Sequence, residues 1–80
     1  MNMNVIFCNN LKEARKANGF TQRTVAQSLG VVESCYANWE QGRTEPSIKD
    51  LQRLCLIFDI SADYLLGLEK EDGSKTNITE

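Results

Sequence analysis

Apolar positions in this chain recur at helical spacing, in short runs separated by residues that start and stop helices. From about Val5 to Asn18, Phe7, Leu11 and Ala14 fall three and four residues apart, which predicts a first helix. Asn18-Gly19 ends it with residues that tolerate a left-handed backbone. Thr21 is placed to cap a second helix burying Val25, Ala26 and Leu29, with Phe20 and Val25 as a hydrophobic staple across its start. Gly30-Val31-Val32 leaves only a tight connection before a third helix of about Glu33 to Gln41, so this stretch reads as helix, turn, helix. Gly42 stops that helix and Arg43-Thr44-Glu45-Pro46 forms a loop. Ser47 with Asp50 then has the spacing of a capping box, opening a fourth helix with Ile48, Leu51, Leu54, Cys55 and Phe58 on one face. Ser61 caps a fifth short helix, stapled by Ile60 and Leu65 and ended by Gly67. No segment alternates as a strand does, and no unit repeats. The pattern therefore predicts an all-α domain over residues 5–67, followed by a flexible polar tail, 68–80, whose Gly, Ser, Thr and Asn favour no packed element.

Composition narrows the function classes more than it changes the fold. Eighty residues, 41% apolar and 25% charged, make one ordinary globular domain. A chain this short buries only about 60% of its unfolded surface, so efficient packing or a second copy has to support it. No run approaches the ~20 apolar residues that cross a bilayer, and MNMNVIFCNN has neither a basic leader nor a long apolar stretch. A cytoplasmic protein without membrane association is expected. Cys8, Cys35 and Cys55 are far apart and form no CxxC pair, which argues against a disulfide framework or a zinc site and for small apolar fillers. Histidine is absent, no glycine-rich loop cradles a phosphate, and no nucleophile stands with a base. An enzyme is not expected, nor a metal or cofactor.

The net charge is -2, without the excess of Lys and Arg that nucleic-acid binders usually carry. Residues 1–66 hold seven basic groups (Lys12, Arg15, Lys16, Arg23, Arg43, Lys49, Arg53) and seven acidic ones, so the folded part is neutral. The deficit lies in the tail, where Glu69, Glu71, Asp72 and Glu80 outnumber Lys70 and Lys75.

Taken in order, Thr21-Gln22, Val25-Ala26, Leu29-Gly30-Val31, Tyr36, Asn38-Trp39-Glu40-Gln41-Gly42, Glu45-Pro46-Ser47 and Ser61-Ala62-Asp63-Tyr64-Leu65-Leu66-Gly67 resemble the helix-turn-helix domain of the Cro and phage-repressor superfamily, the XRE type. The resemblance runs from about Leu11 to Gly67 and implies the five-helix, lambda-repressor-like fold. It also implies a transcriptional regulator that binds double-stranded DNA, with the third helix in the major groove, which is about 12 Å wide and admits one helix. Glu33, Ser34, Ala37 and Asn38 would then face the bases. Asn pairs with adenine, Glu accepts from the cytosine amino group, Ala touches a thymine methyl, and Ser serves as donor or acceptor. The resemblance assigns backbone contacts to Gln22, at the start of the second helix, and to Arg43 and Thr44 after Gly42, with Arg23 a weaker candidate. It further implies a structural ion pair between Arg15 and Glu40. Val25, Ala26, Leu29, Val31, Tyr36 and Trp39 are expected to hold the two helices together, Tyr36 keeping its hydroxyl within reach of a phosphate.

Two residues depart from the family pattern. Val32 stands where Ser or Thr is common, which forgoes a capping bond of about 1 kcal/mol. Glu33 sets a carboxylate beside phosphates, which repel it unless it accepts a base proton.

A homodimer on a partly palindromic operator follows from the resemblance, with recognition helices about 34 Å apart. Apolar surplus places the dimer interface on the C-terminal part, where Ile57, Ile60, Tyr64, Leu65, Leu66 and Leu68 exceed what two short helices hide; the other assignment makes Ile60, Tyr64 and Leu65 the end of the monomer core. Any regulatory signal would act through the dimer, the tail or a partner protein. The competing functional reading is a protein-interaction module that keeps the fold with little DNA affinity, and the neutral charge and Glu33 motivate it.

Overall fold

The computed structural model describes residues 3–68, which form five helices: α1 (Met3–Ala17), α2 (Gln22–Leu29), α3 (Glu33–Gln41), α4 (Ile48–Phe58) and α5 (Ala62–Leu66). Among the described residues there is no strand. The stops and starts are those the side chains dictate. Thr21, Ser47 and Ser61 each accept a hydrogen bond from the backbone N–H three residues on, satisfying donors that a helix start leaves open. The Asp50 carboxylate turns to Arg53, 3.5 Å away, so the Ser47 cap is one half of a capping box with its acid engaged elsewhere.

Gly30 lies at φ 74°, and the Val31 N–H returns to the Ala26 carbonyl at 3.0 Å, which reverses the chain sharply enough for α3 to start three residues later. Space is not what requires glycine here, since a Cβ at Gly30 would meet nothing within 4 Å. Gly67 combines φ 78° with a close approach: an added Cβ would run into the Ile6 side chain. The end of α5 is thereby seated on α1, and Asn10 Nδ2 donates to the Tyr64 carbonyl at 2.9 Å in the same seam.

α1 begins at Met3, two residues before the start that the sequence pattern suggests; within it Phe7 and Cys8 are buried, and Cys8 Sγ lies 3.2 Å from the Trp39 carbonyl. Leu11, Val25, Tyr36, Leu54 and Leu65 are fully buried, surrounded by Ala14, Ala26, Leu29, Trp39 and Phe58. Phe20 packs against this core with its ring centroid 6.3 Å from that of Phe58, tying the loop before α2 to α4. The three thiols are free, and burial pushes those of Cys8 and Cys55 up.

Two positions differ from expectation. Ile48 falls on the apolar face of α4 by its spacing but is 78% exposed, because it opens the helix in a turn that precedes the part entering the core. Leu65, counted with the dimer surface, is fully buried in the single chain, where it completes the α1–α5 seam.

Candidate nucleic-acid interface

α3 has two unlike faces. Tyr36, Trp39 and Glu40 point inward, with Cys35 half-buried beside them, while Glu33 and Ser34 are exposed and Ala37 and Asn38 half-exposed one turn further on. The inward face fixes the helix in three ways. Trp39 and Tyr36 meet edge to face with centroids 5.8 Å apart, an arrangement favoured by the ring quadrupoles. Glu40 receives Arg15 from α1, Nε to Oε2 at 2.7 Å and Nη2 to Oε1 at 3.2 Å, and Arg15 Nη1 also donates to the Phe20 carbonyl at 3.0 Å. Gln22 Nε2, on the first residue of α2, donates to Glu40 Oε1 at 3.0 Å.

Burial alone would raise the Glu40 carboxyl, but the hydrogen bonds from Arg15 and Gln22, with the Tyr36 hydroxyl dipole nearby, outweigh it and hold the group below its ordinary range, so it stays ionised. The Arg15 guanidinium moves upward, chiefly through its hydrogen bond to Glu40. Tyr36 is pushed up by burial first and by its nearness to Glu40 second. Its hydroxyl lies close to that carboxylate without a partner in good hydrogen-bonding geometry. Because Tyr36 is fully buried, the hydroxyl is not within reach of a phosphate, contrary to the expectation from sequence.

The outward rim is polar. Gly42, at φ 78°, ends α3, and the Arg43 N–H closes on the Asn38 carbonyl at 3.0 Å, which sends Arg43 and Thr44 into an exposed loop directly beyond the helix. Arg43 has no ion pair among the described residues, while Arg23 and Glu33 are joined across the turn, Nε to Oε1 at 3.2 Å. Val32 takes the capping position of α3 with φ -72° and ψ 152° but offers no side-chain bond, and it is 69% exposed.

The sequence and the fold are similar to those of known proteins. Residues 9–71 match the model of a helix-turn-helix domain family. The uncharacterized HTH-type transcriptional regulator YqaE of Bacillus subtilis is 39% identical over 67 residues, which cover 84% of this chain and 58% of that protein. The DNA-binding domain of the P22 C2 repressor superposes with a TM-score of 0.73 at 30% identity, covering 100% of both chains. The restriction-modification controller protein C.AhdI of Aeromonas hydrophila superposes with a TM-score of 0.71 at 31% identity, over 78% of this chain and 94% of that one.

The chain belongs to the helix-turn-helix family, in its Cro and phage-repressor branch. It spans 54–62% of the length of the first curated relatives it matches.

Within this helix-turn-helix domain, Glu33, Ser34, Ala37 and Asn38 share one accessible face, and Arg43 and Thr44 adjoin its far end. Gln22 lies beside them, its amide engaged with Glu40 through one N–H and a second N–H left for an outside acceptor. Arg23, a weak candidate on sequence grounds, is tied to Glu33. Sequence spacing gave no hint of that pair, because ten residues separate the two and only the turn geometry brings the helix starts together.

At the C-terminal end, Ile57, Ile60, Leu66 and Leu68 are half-buried and Tyr64 is 39% exposed. Leu56, which falls off the apolar stripe of α4, is 81% exposed. Residues 69–80, the greater part of the expected tail, lie outside the described residues. Among those described, no helix is long and apolar enough to cross a membrane, and no group of His, Cys, Asp and Glu is placed to hold a metal ion.

Proposed function

We propose that this domain acts as a sequence-specific, non-enzymatic transcriptional regulator of the cytoplasm that binds double-stranded DNA through the outward face of α3. The observation that carries the reading is the division of α3 itself. Its inward face is held by Trp39, Tyr36 and a buried ion pair, and its outward face offers Glu33, Ser34, Ala37 and Asn38 from a rigid support. Such a helix meets base edges without further ordering, which lowers the entropic cost of recognition. Arg43, Thr44, the free N–H of Gln22 and the helix starts of α2 and α3 supply donors for phosphates on either side.

The neutral charge of residues 1–66 favours specific over non-specific binding, because phosphate neutralisation supplies most of the latter. The same neutrality supports the second reading, a protein-interaction module. In vitro selection of duplexes from a random pool at low salt separates the two. Enrichment of a defined sequence supports the regulator, and no enrichment at any salt concentration rejects it.

A homodimer on a two-fold operator is part of the proposal. Tyr64, exposed, and Ile60, half-buried, line an apolar groove near the C-terminal end with Glu13, Ala17, Phe58 and Ser61, and Leu56 is exposed on α4. Leu65 has no place in that surface, being core. Light scattering of the wild type and Leu56→Glu at high micromolar concentration tests it; a 9.0 kDa particle from the wild type rejects the dimer.

A further inference from the structure

The Arg23–Glu33 pair links the second residue of α2 to the first residue of α3 across the turn, at the edge of the face proposed to meet DNA. Both heads stay accessible, with the Arg23 side chain 74% and the Glu33 side chain 47% exposed. An exposed pair of this kind contributes little to folding. Its consequence is electrostatic and directional: a carboxylate that would otherwise approach phosphates as a bare charge carries its own counter-charge.

We propose that Arg23 is a positioning residue for base recognition, which holds the Glu33 carboxylate as an acceptor for the exocyclic amino group of a cytosine while turning its remaining N–H groups to a backbone phosphate. The inference rests on the DNA-binding reading above. A guanidinium has five N–H donors, and Glu33 takes the one on Nε, so both Nη groups are left for a phosphate oxygen. The arginine thus bridges two anions that would repel each other, and it fixes which carboxylate oxygen is turned outward.

The base follows from the chemistry of an ionised carboxylate, which only accepts. In the major groove cytosine offers its N4 amino donor with a carbon-bound hydrogen beside it. Adenine sets its N6 amino group next to the N7 lone pair, which opposes the second carboxylate oxygen, and guanine and thymine present acceptors at the corresponding edge. Cytosine is the base that a fixed Glu33 selects.

The test uses four proteins, the wild type, Glu33→Gln, Arg23→Gln and the double variant, each put through selection from a random duplex pool. Titrations at fixed salt follow on the selected duplex and on duplexes changed at one pair. The wild type is expected to prefer cytosine at one position of the site by about tenfold or more, the range of a good base contact. Both single variants are expected to lose that preference, and the double variant to lose no more than either, because the two residues act as one unit. Arg23→Gln weakening all duplexes alike with the cytosine preference intact would show a phosphate contact only and overturn the proposal. So would a preference that survives Glu33→Gln. Failure of all four proteins to enrich any duplex would overturn the DNA-binding reading itself, an outcome distinct from the other two.

Discussion

Arg15 on α1 and Glu40 at the end of α3 meet in a two-point ion pair, with the Glu40 side chain 1% and the Arg15 side chain 14% exposed. Gln22 joins the same carboxylate from α2, so a single buried charge is shared by three helices, one of which carries the outward face. In a low-dielectric site the pair offsets its own desolvation only while both partners are present.

Glu40→Gln removes one of them and leaves the guanidinium half-enclosed without its charge. The expected loss is about 3 kcal/mol, the lower end for a broken buried pair because Arg15 keeps some contact with solvent. For a domain of this size that lowers the Tm by at least about 12 °C. The pH dependence carries a sign. Glu40 is held below its ordinary value of 4.5 in the fold, so the unfolded chain takes up this proton first as pH falls. The stabilisation is complete above the unfolded value and disappears as pH falls through the lower folded one. Urea titrations between neutral pH and pH ~3 should therefore show a steeper acid loss for the wild type than for Glu40→Gln. Parallel curves would count against the buried, ionised state.

Tyr36→Phe tests the same cluster from the other side. The Tyr36 hydroxyl is buried without a partner in good geometry, so removing it relieves an unsatisfied polar group rather than breaking a bond. The variant is expected to be as stable as the wild type or more stable by up to about 1 kcal/mol. A loss above ~1 kcal/mol in denaturant titration would mean that in solution the hydroxyl donates to Glu40.

Val32→Thr should stabilise the start of α3. The backbone at residue 32 already has the extended geometry of a cap, and valine leaves the helix N–H groups without a side-chain acceptor. A threonine at that position is nearly the same shape and supplies the bond, with an expected gain of about 0.5–1 kcal/mol in thermal or chemical unfolding. No gain would indicate that water or a neighbouring side chain already satisfies those donors.

Much of this fold can be read from punctuation in the chain. Thr21, Ser47 and Ser61, with Gly30, Gly42 and Gly67, mark helix ends through purely local chemistry, a capping oxygen or a left-handed backbone, and local chemistry is what a sequence displays. The outward residues of α3 follow from periodicity in the same way. Features that depend on how helices meet were less accessible. Leu65 and Ile48 have similar apolar side chains, yet one lies in a seam between helices and the other at a helix start outside the core. Leu56 is apolar on a face that period alone assigns to solvent, and the Arg23–Glu33 pair arises from the angle between two helices. The family resemblance supplied the Arg15 and Glu40 positions, but not that Gln22 shares their carboxylate.

Asn38 and Arg43 should fail differently when removed. They are neighbours in the structure, since the Arg43 N–H closes on the Asn38 carbonyl, but Asn38 lies on the outward face of α3 and Arg43 in the loop beyond it. An asparagine on a groove-bound helix pairs through its carbonyl and amide with the N6 and N7 of one adenine, and no other base presents that donor and acceptor together. Asn38→Ala should therefore reduce affinity by about 1–3 kcal/mol for the selected duplex only, and relax the preference at a single position. Arg43, exposed and without an ion pair among the described residues, is proposed to meet a phosphate, which is the same at every step of the duplex. Arg43→Ala should weaken selected and unrelated duplexes alike and flatten the plot of log affinity against log salt by about one unit, one fewer counterion being released on binding. Fluorescence titrations of both variants on both duplexes, over a series of salt concentrations, give the two slopes and the two affinities together. An Asn38→Ala protein that weakens on every duplex equally, or an Arg43→Ala protein with an unchanged salt slope, would remove that residue from its assigned role.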